Sequence, residues 1–229
     1  MSARHARTER DRRRRVLGQN FLVDTTLIEL FVGSLDLGAD DLVVDLGAGT
    51  GALTLPLART GAAVWAVESD PDCVDRLRTN LSVHAPDVRV IEADIRHLRL
   101  PRASYRVVAN PPFGITTDLL GRLLDDPRRG PDRADLIVQH EVARKHATTP
   151  PVALRTAAWS PWWTFEIGMR FGRDAFRPRP SVDASVLTMR KRMPALFPDR
   201  LAPGFVETLR PAWSREATQP AGDGRMSSR

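Results

Sequence analysis

The segment from residue 42 to residue 51, LVVDLGAGTG, decides the fold of this 229-residue chain. Its first three residues form a short apolar run of the kind that predicts a buried strand. An acid and three glycines at alternate positions follow, and glycine, which has no Cβ, lets the backbone turn sharply and approach a ligand closely. We therefore predict a strand, a tight turn and a helix here, with a ligand site at the turn.

Similar strand and helix signals alternate from about residue 22 to residue 147. Strands separated by helices imply right-handed crossovers and a mostly parallel sheet that is covered on both faces. The predicted fold class is therefore α/β, and such sheets bind ligands at the carboxyl ends of their strands. Further strands are predicted at residues 63–67, 88–91, 105–109 and 136–138, and helices after the N-cap Asp24, at 71–83 and at 116–124.

Beyond residue 150 the alternation ends, because two prolines interrupt the chain. Three tryptophans in this part, Trp159, Trp162 and Trp163, are expected to pack in the core rather than to form a stacking platform for RNA. We expect an antiparallel strand pair at residues 162–171 and 184–189, a weak helix near residues 203–213 and a disordered polar tail at residues 217–229.

The charge of the chain indicates a polyanionic partner. Lysine and arginine together number 34, aspartate and glutamate 28, and the net charge is +6. Arginines crowd the first fifteen residues, and such a segment gains affinity for nucleic acid by releasing condensed counterions. A solvated tail without a partner is the alternative interpretation.

Cysteine content and hydropathy exclude several classes of protein. The single cysteine, Cys73, excludes an intramolecular disulfide framework and a zinc site built from several thiolates. No apolar run approaches the roughly 20 residues that cross a bilayer, and the N-terminus lacks the apolar core of a secretory signal. We expect a cytoplasmic protein that binds neither a membrane nor a metal.

Two acids follow later strands of the predicted sheet. Glu68 stands at the end of the second strand, about twenty residues beyond the glycines, where a carboxylate can accept both ribose hydroxyls of an adenosyl group. Asp94 follows the third strand and is placed to accept a hydrogen bond from an adenine amino group. The glycines also satisfy the loose G-x-G-x-x-G/A dinucleotide pattern, although D-x-G-x-G-x-G is the form typical of S-adenosylmethionine (SAM) methyltransferases.

The tetrapeptide Asn110-Pro111-Pro112-Phe113 follows the fourth predicted strand and indicates the chemistry. Methyl transfer to an exocyclic aromatic amine is difficult because the nitrogen lone pair is delocalised into the ring. Two acceptors, the Asn110 side-chain oxygen and the Pro111 carbonyl, can hold the amine hydrogens and favour a pyramidal nitrogen. The two prolines stiffen the loop, and Phe113 offers a face on which a flipped-out base can stack. We predict that these four residues form the catalytic centre.

Seven ordered motifs together resemble the ribosomal RNA adenine N6-methyltransferase family, and within it the erythromycin-resistance (Erm) branch. They are Gly18 to Leu22, Asp45 to Gly51, Glu68, Asp94-Ile95, Asn110 to Phe113, Gln139 to Lys145, and Phe176 to Val182. The resemblance implies a Rossmann-like SAM-dependent fold and the addition of one or two methyl groups to N6 of one adenine in 23S rRNA. It also implies resistance to macrolide, lincosamide and streptogramin B antibiotics.

The resemblance assigns roles to individual residues: Asn20 and Leu22 close over SAM, and Gly47 backs its amino-acid part. Pro111 departs from the family, which usually has Ile or Leu at this position. The expected cofactor-binding residues are Asn20, Leu22, Gly47, Gly49, Glu68, Asp94, Ile95 and Asn110. The residues expected to bind RNA, on the grounds of charge, are Arg12, Arg13, Arg14, Arg15, Arg144, Lys145, Arg177 and Arg179.

We expect three regions in a monomeric protein: a basic disordered tail at residues 1–15, the catalytic domain at 16–192, and a short, truncated C-terminal helical segment with its tail at 193–229. The principal alternative is the housekeeping branch that dimethylates two adjacent adenines in 16S rRNA. More distant alternatives are a methyltransferase for DNA adenine or protein glutamine and a non-catalytic RNA-binding assembly factor. The short C-terminal part, Gln19-Asn20 and the run from Ala143 to Lys145 favour the Erm branch.

Overall fold

The computed structural model describes residues 20–216 and has a twisted sheet with helices on both faces. Its strands are β1 (Phe21–Leu22), β2 (Leu42–Leu46), β3 (Ala63–Glu68), β4 (Arg89–Glu92), β5 (Arg106–Ala109), β6 (Arg133–Gln139), β7 (Trp163–Phe171), β8 (Phe176–Arg177) and β9 (Ala184–Lys191). Its α-helices are α1 (Thr25–Gly33), α2 (Thr54–Arg59), α3 (Pro71–His84), α4 (Thr116–Leu124), α5 (His140–Ala147), α6 (Leu154–Trp159) and α7 (Phe205–Glu216).

The main sheet has seven strands in the order β4-β3-β2-β5-β6-β9-β7. The first five are parallel, whereas β9 runs antiparallel to both β6 and β7. The prediction of a mostly parallel α/β sheet with an added antiparallel pair is therefore confirmed. The chain moves outward from β2 to β4 and then returns to β5 on the other side of β2, so the strand order reverses between β2 and β5.

Neighbouring residues on the central strands pack on opposite faces of the sheet. Val43 and Val108 belong to the apolar cluster on one face, and Val44 and Val107 belong to the cluster on the other. Alternate side chains of a strand point to opposite sides, so a strand buried on both faces has to be apolar at every position. This requirement explains why the strands appear in the sequence as continuous apolar runs.

Side-chain caps fix the starts of two helices at the positions predicted from the sequence. Asp24 accepts a hydrogen bond from the N–H of Leu27 at 3.0 Å and begins α1. Asp70 caps α3 by accepting from the N–H of Asp72 at 3.0 Å, and Pro71 occupies the first helical turn, where its missing N–H costs nothing.

The three tryptophans are core residues, as predicted. Trp159, Trp162 and Trp163 are all buried, and each indole N–H has a hydrogen-bond partner. Trp162 also contacts the C-terminal segment, because the ring of Phe205 on α7 packs edge-on against it at 5.3 Å between centroids. The predicted helix after Met193 is therefore present, and it packs against the sheet domain through this contact.

A two-stranded sheet made of β1 and β8 is a feature that the sequence patterns do not predict. Phe21 pairs with Arg177 and Leu22 with Phe176, in antiparallel register. The N–H of Val23 extends the contact by donating to the carbonyl of Ala175 at 2.8 Å. This pairing holds the first described residues across the carboxyl edge of the main sheet.

Several predictions concern parts of the chain outside residues 20–216. Arg12 to Arg15, the motif residues Gly18 and Gln19, and the polar tail from residue 217 to residue 229 all lie there. Within the described range, no helix has both the length and the apolar character needed to cross a membrane.

Gly130, in the loop that follows α4, lies where this loop packs tightly against the sheet. A Cβ at this position would lie 2.5 Å from the carbonyl oxygen of Leu123 and 2.7 Å from the Trp163 ring. Because neither group can move without disturbing the core, Gly130→Ala should lower the free energy of unfolding by about 1–3 kcal/mol. Urea unfolding measures the change. Gly38→Ala is the matched control, since nothing lies within 4 Å of its Cβ position, and equal stability losses in the two variants would contradict the prediction.

Candidate functional site

A cavity of about 350 Å³ opens at the carboxyl ends of β2, β3 and β5, where the strand order reverses. Its volume is in the range of small-molecule sites. All eight residues expected to bind the cofactor line it, although they come from five separate parts of the chain: Asn20, Leu22, Gly47, Gly49, Glu68, Asp94, Ile95 and Asn110.

The loop after β2 can form the cavity wall only because it contains glycine. Gly47 and Gly49 have φ angles of +82° and +57°, in the left-handed region that other residues rarely adopt. A Cβ on Gly49 would also lie 3.2 Å from the ring of Phe21, the residue that β1 places over the loop. The backbone and the ring therefore approach more closely than a side chain at position 49 would allow.

Glu68 joins three segments around the cavity. Its buried carboxylate accepts a hydrogen bond from the N–H of Gly49 at 2.9 Å. The other carboxylate oxygen accepts from the N–H groups of Ser69 and Asp70 at 2.7 and 2.9 Å. A carboxylate has about four acceptor positions, so three are already occupied and a ribose that donates two hydroxyls to Glu68 would have to share or displace one of these bonds.

Asp45, the acid of the glycine motif, lies fully buried at the base of the cavity. One carboxylate oxygen accepts from the Thr54 hydroxyl at 2.6 Å, and the other has no hydrogen-bond partner. Burial raises the pKa of Asp45 to about 7, an effect that the Thr54 hydrogen bond opposes and the nearby negative charge of Glu68 reinforces. The sequence indicates no separate role for this carboxyl group, although its position in the glycine motif singles it out.

Asp94 lines the cavity and is bound by Arg96, a residue that no sequence pattern indicates. The Arg96 guanidinium binds its carboxylate at 2.6 Å, and the Arg96 N–H donates to it at 2.8 Å. These hydrogen bonds lower the pKa of Asp94 to about 2, so it is ionised at neutral pH. An adenine amino group would therefore share this carboxylate with Arg96.

Asn110 is held in one orientation by the first described residue of the chain. Its Nδ2 donates to the backbone carbonyl of Asn20 at 2.9 Å. With the amide nitrogen engaged there, the amide oxygen is the remaining polar atom of this side chain, and it can only accept. Asn110 also lines the cavity, so the geometry places this acceptor at its wall.

The three residues after Asn110 occupy different environments. Pro112 lines the cavity, whereas Pro111 is buried and Phe113 is half-buried against the cluster that contains Phe31 and Phe171. Neither Pro111 nor Phe113 is part of the cavity wall. The expected roles of the Pro111 carbonyl as an acceptor and of Phe113 as a stacking surface for a base both remain predictions.

The basic residues expected to bind RNA that fall within the described range are all on the surface. Arg144 and Lys145 are exposed on α5, and Arg177 and Arg179 are exposed in and just after β8. Ion pairs hold two of them in place, since Arg144 contacts Glu141 at 2.6 Å and Arg179 contacts Asp174 at 3.1 Å. Two further exposed arginines, Arg170 and Arg173, form ion pairs with Asp183. They are not among the residues that the sequence predicts to bind RNA.

The acidic lining of the cavity suits SAM, which carries a sulfonium cation, an ammonium group and an adenosine. Three carboxylates, Asp45, Glu68 and Asp94, line it, and one of their oxygens is buried without a partner. Gly49 leaves a space that a Cβ would fill. Among residues 20 to 216, the structure contains no cluster of three or more His, Cys, Asp or Glu side chains that could hold a metal ion.

The raised pKa of Asp45 predicts a measurable pH dependence of stability. The folded protein holds the Asp45 proton more tightly than the unfolded chain, so the free energy of unfolding should fall as the pH rises from about 4 to about 7. The slope from this residue is at most about 1.4 kcal/mol per pH unit. Asp45→Asn, which stays neutral, should lack it.

Urea unfolding of the wild type and the variant at pH 5 and pH 8 measures this difference. Asp87→Asn, which removes an exposed carboxylate, serves as the control. Parallel pH dependences for the wild type and Asp45→Asn would show that Asp45 does not titrate in this range.

Comparison with known proteins identifies the family. The family model described as ribosomal RNA adenine dimethylase matches residues 10–219. An rRNA adenine N-6-methyltransferase of Corynebacterium diphtheriae is 38% identical over 174 residues, which cover 76% of this chain and 67% of the relative. The mycinamicin-resistance protein MyrB of Micromonospora griseorubida is 35% identical over 201 residues, which cover 88% of this chain and 63% of MyrB.

The crystal structure of the 23S rRNA methyltransferase ErmE superposes with a TM-score of 0.75 and 28% sequence identity. The match covers 89% of this chain and 81% of that chain. The Rossmann-like methyltransferase fold and SAM as the cofactor, both expected from the sequence, are confirmed by these similarities. The match of the family model over almost the whole length places this chain in the ribosomal RNA adenine dimethylase family.

Proposed function

We propose that this chain transfers a methyl group from SAM to N6 of a specific adenine in 23S rRNA. The observation that carries the proposal is the orientation of Asn110, whose amide nitrogen is bound to Asn20 and whose oxygen is left as an acceptor at the cavity. An enzyme that binds an amine needs an acceptor in this position. A dinucleotide-binding dehydrogenase does not.

The chemistry assigned to the Asn110 loop follows from the lone pair of the amine. The Asn110 oxygen and the Pro111 carbonyl accept the two amine hydrogens and thereby favour a pyramidal nitrogen whose lone pair points into the cavity. SAM, when bound, supplies an electrophilic methyl group on sulfur. The amine proton becomes acidic once the new N–C bond forms, so it can pass to water and no strong base is required.

Two features support SAM binding by this chain's own residues. The backbone of Gly47 and Gly49 approaches the ligand space without side chains, and β1 places Asn20 and Leu22 over the opening. The carboxylates of Glu68 and Asp94 line the cavity, where they can accept hydrogen bonds from the ribose hydroxyls and the adenine amino group. The cofactor roles of these residues are part of the proposal.

The choice of 23S rRNA is supported by the relatives. ErmE is named as a 23S rRNA methyltransferase and MyrB as a mycinamicin-resistance protein. A methyl group added to an adenine at the macrolide site fills space and removes a hydrogen-bond donor, so drug binding there is weakened. Resistance to macrolides, lincosamides and streptogramin B is the consequence that we propose.

The exposed surface around α5 and β8 is the proposed contact for rRNA. The surface presents four cationic residues, Arg144, Lys145, Arg177 and Arg179. The proposal also includes Arg12 to Arg15, which lie outside the described residues. Cationic side chains on one surface attract the phosphate backbone without reading its sequence. We further propose that residues 16–192 form the catalytic unit and that the protein acts as a monomer in the cytoplasm.

The direct test uses labelled SAM with protein-free 23S and 16S rRNA, followed by primer extension to locate the modified base. We expect label on a single 23S adenine, with a strong reverse-transcriptase stop if two methyl groups are added. Label on 16S rRNA alone would assign the protein to the housekeeping branch. Binding of SAM and RNA without label would instead indicate a non-catalytic RNA-binding factor.

Asn110→Ala tests the central residue of the proposal. Loss of the acceptor should lower the single-turnover rate of methyl transfer by about 100-fold or more, by analogy with the loss of one oriented polar group in other active sites. RNA affinity should stay near the wild-type value, because phosphate contacts supply most of it. Quench-flow with labelled SAM and filter binding measure the two quantities.

Ser82→Ala is the control for Asn110→Ala. Ser82 also donates its side chain to a backbone carbonyl, that of Thr79 at 2.8 Å, but it is exposed on α3 and lines neither depression. Its variant should methylate at the wild-type rate. An Asn110→Ala rate within a fewfold of this control would remove Asn110 from the reaction.

A further inference from the structure

A second and larger depression lies next to the cofactor cavity and has no part in the function proposed so far. This groove, of about 1190 Å³, runs between the loop after β4, residues 95–103, and the segment that contains α4 and the following loop, residues 118–130. We call it the arginine groove because six arginines line it: Arg96, Arg99, Arg102, Arg122, Arg128 and Arg129.

The charge of the arginine groove is positive even after its ion pairs are taken into account. Three aspartates line it, but Asp126 is paired with Arg128 at 2.9 Å, and Asp125 is paired at 3.0 Å with Arg155, which lies outside the groove wall. Only Asp118 lacks such a pair within the described structure. The arginines without an ion-pair partner among the described acids include three exposed ones, Arg99, Arg102 and Arg129.

Two hydrogen bonds join the walls of the arginine groove to each other. The Arg122 guanidinium, on α4, donates to the carbonyl of Leu98 on the opposite loop. The hydroxyl of Tyr105, a buried residue, donates to the carbonyl of Arg129 at 2.9 Å. The groove is therefore preformed, and a ligand would bind without first having to order its walls.

The arginine groove is continuous with the cofactor cavity. Ile95, Arg96 and Ile115 line both, so one end of the groove meets the cavity beside Asp94. A polymer that places one unit over the cavity can therefore lay the adjoining units along the groove. A small anion could bind in the groove without reaching the cavity, so the continuity favours a polymeric ligand.

We propose that the arginine groove holds the RNA strand next to the target adenine, with its phosphates bound by Arg99, Arg102 and Arg129. This inference rests on the proposed function. A base that enters an active site leaves its stack, so the flanking nucleotides are unpaired near the cavity mouth. Grooves that bind single strands combine positive charge with room for the backbone, and this groove has both. It lies on different elements from the basic surface around α5 and β8.

The test compares the salt dependence of RNA binding in the wild type and in Arg99→Ala/Arg102→Ala/Arg129→Ala. The probe is a short hairpin cut from 23S rRNA around the adenine that primer extension identifies. Three lost phosphate contacts should reduce the slope of log affinity against log salt by about 2 and weaken binding. The lysine triple variant at the same positions should keep the wild-type slope, because lysine also binds phosphate.

Matched controls separate the groove from charge in general. Arg59, Arg76 and Arg78 are exposed on α2 and α3 and line neither depression, so their triple alanine variant should leave the slope within about 0.5 of the wild type. SAM affinity and thermal unfolding should be unchanged in all variants. Photo-crosslinking of the wild-type protein to thiouridine-containing hairpin gives a second measurement that needs no variant, with crosslinks expected within residues 96–102 and 128–130.

The outcomes distinguish the two proposals. A wild-type protein that neither methylates nor binds rRNA overturns the proposed function and this inference with it. Methylation with an unchanged slope in the alanine variant, or with crosslinks confined to α5 and β8, overturns the inference alone and leaves the arginine groove to a different anionic partner.

Discussion

The hydrogen bond between the Gly49 N–H and the Glu68 carboxylate is the contact on which the site depends. Through it the loop after β2 is tied to the end of β3, and the same carboxylate binds the N–H of Asp70, which caps α3. A buried carboxylate is costly unless it is hydrogen-bonded, and here three backbone N–H groups satisfy it. The carboxylate that we propose for the ribose is thus also the group that holds the cavity walls together.

Asn110 depends on a second constraint, which comes from a residue 90 positions earlier in the chain. Its orientation is set by Asn20, and Asn20 is held in place because β1 pairs with β8. The acceptor at the proposed reaction centre therefore reflects contacts among three segments that are distant in sequence. The arrangement explains why motifs at residues 18–22 and 176–182 accompany the Asn110 tetrapeptide in this chain, although neither contributes an obvious reactive group.

Much of the fold could be predicted because its signals are local. Apolar runs marked the central strands, and Asp24 and Pro71 marked helix starts by capping chemistry that acts within a few residues. Six of the eight expected cofactor residues follow strands of the parallel sheet, and their meeting at one cavity could be predicted because those strand ends converge at one edge. The family resemblance, and not a strand pattern, indicated Asn20 and Leu22. Strands of two residues, such as β1 and β8, have no periodicity to detect, and the Asp94–Arg96 pair and the arginine groove depend on side-chain positions that only the folded chain defines.

The pairing of β1 with β8 has a consequence for the order in which the chain folds during translation. Its partners stand about 155 residues apart, so the contact closes a very long loop and cannot form before Arg177 has been synthesised. At translation rates of roughly 5 to 20 residues per second, residues 20–22 emerge some 8 to 30 s before their partner strand exists. The five parallel strands can assemble in that interval, whereas β9, which follows Arg177 in the chain, cannot yet join them. A nascent chain can therefore form the parallel part of its sheet before β1 is fixed over the cavity.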